Sequence, residues 1–521
     1  MKRHILMACA LLAAGVTAWG QGANEALLFG ENNYYGTART VAMGNAFTAL
    51  GGDLGSVGIN PAGSAVNNWS QFTITPALSI SGSSASFNDG SPYKTSETRV
   101  NLPNVGGILN FNTHRTSGLK AVTFGFVMNA TGIWNKDFTA AGKGTSSYMG
   151  YLADMATRAN LSAATLNGSL SDLSTAYWLP ALGYQSGMVN EATGVAGAPY
   201  ISPAQLNSGS GNYPLRGEIN QQYGQQMIGR KQDMVFNLGF NIANRVFIGA
   251  NLGMIFLSNR MNEYIRETAL NPEEFPVTIQ GESDSWTDMK FSYEYNASGS
   301  GVYGKFGIIA VPVDGLRIGA AIQTPTAMNI QEYRWYDALN NFKGAEGKAS
   351  ADYEYRYRLR LPARYNFGIA WTLGQKGLVS FDYELTDFST ARYREARGND
   401  HSGFDGSNAE VTDYLGMAHY FRLGAEYKII PQFAIRAGYN LGSNPNREYD
   451  ENGIRFTPSA WWHTGSLGIG YSSSGSFFCD FALRCKINPT DWNYPYPTAD
   501  APEIAVNNRL WDAVLTFGLR F

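Results

Sequence analysis

Residues 353–361 read Tyr-Glu-Tyr-Arg-Tyr-Arg-Leu-Arg-Leu, which places Arg356, Arg358 and Arg360 on one face of an alternating stretch. A guanidinium fork grips a carboxylate bidentately, so three on one face could hold a carboxylate head group. Arg422 and Arg436 lie on later alternating stretches and join them as candidates. The favoured alternative is structural. The arginines would pair with Glu354, Asp382 and Glu384, or fasten a neighbouring segment.

Little else in the chain points to reaction chemistry. His114, His401, His419 and His463 are scattered, and no pair has metal-ligand spacing. His419 or His463 could serve a serine nucleophile, but no serine is marked as its partner. Cys479 and Cys485 would stand about 20 Å apart on an extended strand at ~3.3 Å per residue, too far for a disulfide. They lie among Phe477, Phe481 and Leu483 and read as small apolar filler. Gly299-Ser300-Gly301-Val302-Tyr303-Gly304 has dinucleotide-loop spacing. An alternating strand follows where a helix is needed, so a kink or close backbone approach is expected. No enzyme, metal or cofactor is expected. A net charge of −3 also argues against a nucleic-acid partner.

The elements that carry these residues are strands. Aromatics make up 13% of the 521 residues and Gly accounts for 59, while mean hydropathy is only −0.22. That composition suits a membrane β-barrel better than a helical protein. Lys2 and Arg3, the apolar run Ile5 to Val16, and small residues at Ala18 and Gly20 make residues 1–20 a signal peptide. Alternation then runs from about residue 70 to Phe521, punctuated by six short turns and seven longer connections. Thirteen connections join fourteen antiparallel strands, with both ends on the side of the short turns. Two of these strands, 283–312 and 350–373, read as long and broken, at the glycine run and at Pro362. The apolar sets expected to meet lipid include Phe236 with Leu238, Phe381 with Tyr383, and Leu515 with Phe517. Asp382, Glu384, Arg422, Glu426, Arg436, Asp480, Arg484, Asp512 and Arg520 would face the lumen. Tyr353, Tyr355 and Tyr357 are assigned to lipid by the same count, and the three arginines to the lumen.

Residues 22–68 do not alternate. Thr37 to Leu50 reads as a short helix ended by Gly51-Gly52. Asp53 can cap a further turn, and Asn60 with Pro61 gives an N-cap followed by proline at the first helical position. A plug inside the lumen is expected. The remainder, 69–521, is the barrel, with a long external loop at 131–229.

Gly36 and Arg39, then Gly44, Asp53 and Asn60-Pro61-Ala62, resemble the N-terminal hatch of the FadL/TodX-type outer-membrane transporters. Leu361-Pro362, Tyr383 to Phe388 and the terminal Phe521 are similar to that family too. The resemblance spans the mature chain loosely and implies a fourteen-stranded barrel with a small helical hatch. It also implies passive transport of long-chain fatty acids or aromatic compounds by capture, hatch movement and lateral exit. The expected site is the outer membrane of a Gram-negative bacterium, and the expected partners are membrane lipid and a hydrophobic small molecule. The strand kink for lateral exit is placed near Gly125 to Gly132. The alternative is a barrel that acts as a partner or shuttle for secreted surface proteins.

Overall fold

The computed structural model describes residues 21–88, 90–192, 199–207, 213–398, 402–449, 455–458 and 460–521. The expected signal peptide lies outside them. Fourteen antiparallel strands close into one barrel. They are β1 (Gln71–Phe87), β2 (Tyr93–Asn112), β3 (Leu119–Lys143), β4 (Ile219–Ile242), β5 (Val246–Ala269) and β6 (Glu282–Val313). Then follow β7 (Leu316–Gln323 and Thr326–Phe342), β8 (Glu346–Leu361 and Arg364–Leu373) and β9 (Gly377–Asp387, resuming at Arg392–Glu395). The ring is completed by β10 (Met417–Ile430), β11 (Phe433–Ser443), β12 (Trp461–Ser472), β13 (Phe477–Ile487) and β14 (Ile504–Arg520). β14 pairs with β1 from Arg520↔Gln71 to Ile504↔Phe87, so no sheet edge is left at the closure.

The barrel has two storeys of opposite polarity. In the lower one, next to the short turns, apolar side chains face out and polar ones face in. On β8, Tyr365, Phe367, Ile369 and Trp371 are exposed while Arg364 and Asn366 are buried. In the upper storey the order reverses, and Tyr357, Leu359 and Leu361 are buried while Arg356 and Arg360 are exposed. The switch falls at Pro362, where the inward phase slips from odd to even positions. Proline cannot donate to the ladder, so pairing lapses there and the strand resumes in the other phase. β7 slips in the same way at Thr324-Pro325, with Ile318 and Ile322 outward below and Met328 and Ile330 inward above. β9 breaks over a 3₁₀ turn, Phe388–Thr390, capped by Asp387. The cause is the solvent outside. The lower wall is apolar outside and the upper wall polar outside, a pattern that suits a strand leaving an apolar surrounding for water.

This corrects the placement of the tyrosine-arginine stripe. Arg356, Arg358 and Arg360 look out to water, and their tyrosine neighbours turn inward. The expected break in 283–312 is also absent, because β6 runs unbroken. Its glycines make room for the neighbouring strand. A Cβ at Gly299 would stand 2.4 Å from Ile330 Cδ1. The long connection is 144–218 rather than 131–229, since β3 reaches Lys143 and β4 starts at Ile219. It carries two amphipathic helices.

The helices that bear on the site are α1 (Ala23–Gly30), α2 (Ala38–Ala42), α3 (Tyr148–Arg158), α4 (Trp178–Gln185) and α5 (Asp405–Tyr414). The helix expected from Thr37 to Leu50 stops at Ala42. Gly44 and Asn45 both take φ +61°, which a helix cannot continue through.

Candidate functional site

The lumen of the lower storey is filled by residues 31–67, while α1 packs into the upper core. Wall side chains hold this segment largely through its backbone. The Ala38 N–H donates to Thr516 Oγ1 (2.6 Å) and the Thr48 N–H to Asp382 Oδ2 (2.7 Å). Asn237 Nδ2 donates to Pro61 O (3.0 Å), Asn251 Nδ2 to Val57 O (2.8 Å), and Lys305 Nζ to Gly58 O (2.9 Å). The three wall donors sit on the adjacent strands β4, β5 and β6 and the two acceptors on β9 and β14, so the segment is tied at several points round the ring. Its approach to the wall is close. A Cβ at Gly307 would overlap Asn60 Oδ1 at 1.9 Å.

The structure brings the expected hatch residues together, each with a definite contact. Gly36 packs on Gly55, and a Cβ there would stand 2.9 Å from Gly55 Cα. Asp53 accepts from Thr37 Oγ1 (2.6 Å) and from the Gly55 N–H (2.9 Å). Asn60 caps the turn Pro61–Val66 by accepting the Ala62 N–H (3.0 Å), and its Nδ2 donates to Thr48 O (2.7 Å). Ala62 is buried against Phe247 and Ile309. Gly44 supplies the positive φ of the turn that ends α2.

Arg39 crosses from the segment to the wall, pairing with Glu426 at 2.8 Å. Glu426 also pairs with Arg436 (2.7 Å), which reaches on to Asp480 (2.6 Å). Higher in the lumen Glu384 is held by Arg364 and Arg422, each at 2.8 Å. Arg422 and Arg436 are thus lumen groups, as their alternation implies, and both are committed to carboxylates. Arg422 lies over the Tyr34 ring at 4.9 Å, and Arg484 lies 3.9 Å over Tyr35. The three arginines of the 353–361 stripe take no part.

The upper storey encloses a large apolar core. The inward faces of β4 to β8 contribute Tyr223, Ile265, Phe291, Tyr293, Met328 and Tyr357. α3 packs onto them with Tyr148, Met149, Leu152 and Met155, whose spacing makes one face of a helix. Glu267 fixes the start of α3, accepting from Ser147 Oγ and the Tyr148 N–H, both at 2.6 Å. Within this core Tyr148, Leu179, Tyr223, Phe291, Tyr293 and Tyr336 line a small gap of about 30 Å³, room for about one water, with Glu263 at its side. Arg334, on the same strand face as Tyr336, is buried and pairs with Glu332 at 2.9 Å. Its Nε and Nη1 have no hydrogen-bond partner. Sequence reasoning missed Arg334. The only signal for it was Pro325, which reverses the facing of every residue after it.

α1 lies under this core, outside the spanning strands. Tyr393 Oη donates to Gly22 O (2.7 Å), and the Ala23 N–H donates to Glu410 Oε1 of α5 (3.1 Å). Burial pushes the Glu25 carboxyl up to about 7, with Arg334 opposing and Glu332 reinforcing. Burial also raises Glu410.

The wall parts between β2 and β3. The β2–β3 ladder runs from Asn112↔Ala121 to Asn104↔Asn129 and ends there. Above it β2 stays with β1 as far as Tyr93, and β3 stays with β4 as far as Lys143. Side chains bridge the seam between them. Arg99 Nε donates to Asn135 Oδ1 (3.3 Å), and Asn135 Nδ2 donates to Glu97 O (3.4 Å). At its foot the luminal segment lends its backbone. The N–H groups of Asn33 and Tyr35 donate to Thr131 O (2.8 Å) and Ala130 O (2.9 Å). The β3–β4 register shifts between Ala130 and Gly132, within the region expected to kink.

No family model and no curated protein matches this chain by sequence. Solved structures do match by shape. A FadL homologue of Pseudomonas aeruginosa superposes with a TM-score of 0.53 at 11% identity, covering 94% of this chain and 100% of its own. The toluene transporter TodX of P. putida gives 0.50 at 12% identity, covering 93% and 98%. A TodX variant described as a monoaromatic hydrocarbon channel gives 0.51 at 11%. The chain therefore has the FadL/TodX-type fold.

Proposed function

We propose that this barrel sits in an outer membrane and passes hydrophobic small molecules, fatty-acid-like or aromatic, by passive diffusion. The observation that carries the reading is the upper storey itself, whose interior is apolar and rich in aromatic side chains while its exterior is polar. A hydrophobic solute leaving water gains about 25 cal/mol per Å² of apolar area it buries there. Arg334, buried beside Tyr293 and Tyr336 with its guanidinium over the Tyr295 ring, would take a carboxylate head. Residues 22–68 are the hatch in this reading, and the β2–β3 seam is the lateral exit. The likeness in fold to the toluene transporter TodX supports the substrate class. Liposomes bearing the protein should take up oleate or toluene faster than empty ones, and equal rates would sink the proposal.

A further inference from the structure

Several arginines on the outside of the upper storey have an acidic partner. Arg260 pairs with Glu294 at 2.8 Å and Arg266 with Asp288 at 3.2 Å. The surface where β8 meets the end of β9 is different. There the register sets Arg358 opposite Arg394 and Arg360 opposite Arg392. All of these point outward, because their alternates Tyr357, Leu359 and Tyr393 are buried. Like charges directly opposite one another destabilise a strand pair. Among the described residues no carboxylate pairs with Arg358, Arg360, Arg392 or Arg394. Glu354 is taken by Arg356, and Glu395 turns inward to accept from Tyr355 Oη. Arg358 spends its donors on Glu395 O and Gly398 O, and Arg392 on Ser389 O and Ala391 O. Arg360 and Arg394 make no hydrogen bond or ion pair among the described residues.

The height of this patch identifies what could neutralise it. Two residues below Arg360 the strand meets Pro362, then enters the lipid-facing wall with Tyr365 and Phe367 outward. At ~3.3 Å per residue Arg360 stands roughly 16 Å along the strand from Tyr365. Ile322 on β7 and Phe306 on β6, which pair with each other, are likewise exposed below this level. The patch thus crowns an apolar wall at the level of lipid head groups. Opposed residues lie about 5 Å apart, and Arg360 and Arg394 are diagonal neighbours within about 8 Å. That spacing lets two guanidinium forks converge on one phosphate.

We propose that Arg360 and Arg394, backed by Arg358 and Arg392, bind the phosphorylated head group of an outer-leaflet lipid whose acyl chains lie along the wall below. The inference rests on the outer-membrane placement and not on what the barrel transports. The full mature chain in detergent micelles is titrated with bisphosphorylated lipid A and with its phosphate-free counterpart, and retained lipid is read by native mass spectrometry. The wild type should retain the bisphosphorylated lipid preferentially, and R360Q/R394Q should weaken that retention by about tenfold or more. R266Q, which removes an arginine that has its own carboxylate, should leave retention unchanged. Equal retention of the two lipids by the wild type overturns the proposal. So does equal retention by the double variant, an equal loss in R266Q, or displacement of the lipid by millimolar inorganic phosphate. Both exchanged side chains lie outside the core, and heat-modifiable migration confirms barrel closure in each variant. Binding in micelles does not depend on flux, so a failed uptake assay and a failed lipid titration are separate results.

Discussion

Glu384 is buried with Arg364 and Arg422 on either side, both at 2.8 Å. Removing one partner of a buried pair leaves charge unmatched, so Arg422→Ala should destabilise the barrel by about 3 kcal/mol. Urea titration of the refolded protein, followed by tryptophan fluorescence, measures this. Arg356→Ala, at an exposed pair with Glu354, should cost less than about 1 kcal/mol in the same assay. Arg334 allows a sharper test of ligand chemistry. Arg334→Lys keeps the charge but loses the fork, so uptake of oleate should slow more than uptake of toluene. An equal effect on both would make Arg334 a structural group only.

At the scale of elements, α1 and the seam respond to different perturbations. Glu25 on α1 is raised to about 7 by burial and faces Arg334, Glu332 and Glu410. A carboxyl whose folded pKa lies above its unfolded value supports docking fully below the unfolded value, near 4.5, and loses that support as pH rises through about 7. Hydrogen exchange in residues 23–30 should therefore show less protection at pH 8 than at pH 5, once the intrinsic rate is allowed for. Glu25→Gln should flatten the difference. The seam is held by side chains alone above Asn104 and Asn129. Cysteines introduced at Glu97 and Asn135 should cross-link, slow uptake, and release it on reduction. Unchanged flux in the cross-linked protein would move the exit elsewhere.

For the whole molecule, the lower lumen is occupied by residues 31–67, and the lower wall is a closed ring. Deleting 22–68 should raise single-channel conductance in planar bilayers, and no change would refute the plug. Charges on the lumen wall keep an emptied channel polar, so the deletion should pass ions rather than collapse. The two-storey plan also explains how one chain can span lipid and still carry a greasy interior above it. Each solvent sets the polarity of the wall it touches.

Much of this plan could be read from local pattern. Strand alternation and the rhythm of short and long connections gave fourteen strands and the correct facing of Asp382, Glu384, Arg422 and Asp512, because period-two patterning and turn chemistry are local properties. Asn60-Pro61 and Asp53 announced their caps for the same reason. The facing of Tyr353 to Leu361 was not legible, since alternation fixes that two faces differ but not which one meets the lumen. That depended on where the bilayer ends along β8, and on the slip at Pro362 that only the assembled ring locates. The ends of the long loop were hidden too, because β3 and β4 continue in water, where their outward residues become polar. The parting of β2 from β3 is a property of pairing between chain segments, and no single strand encodes it. The sequence by itself determined the strands, their number and the capped luminal segment. Tertiary structure alone decided which face each storey turns inward and where the wall opens, because both depend on the solvent and the neighbouring strand at each level.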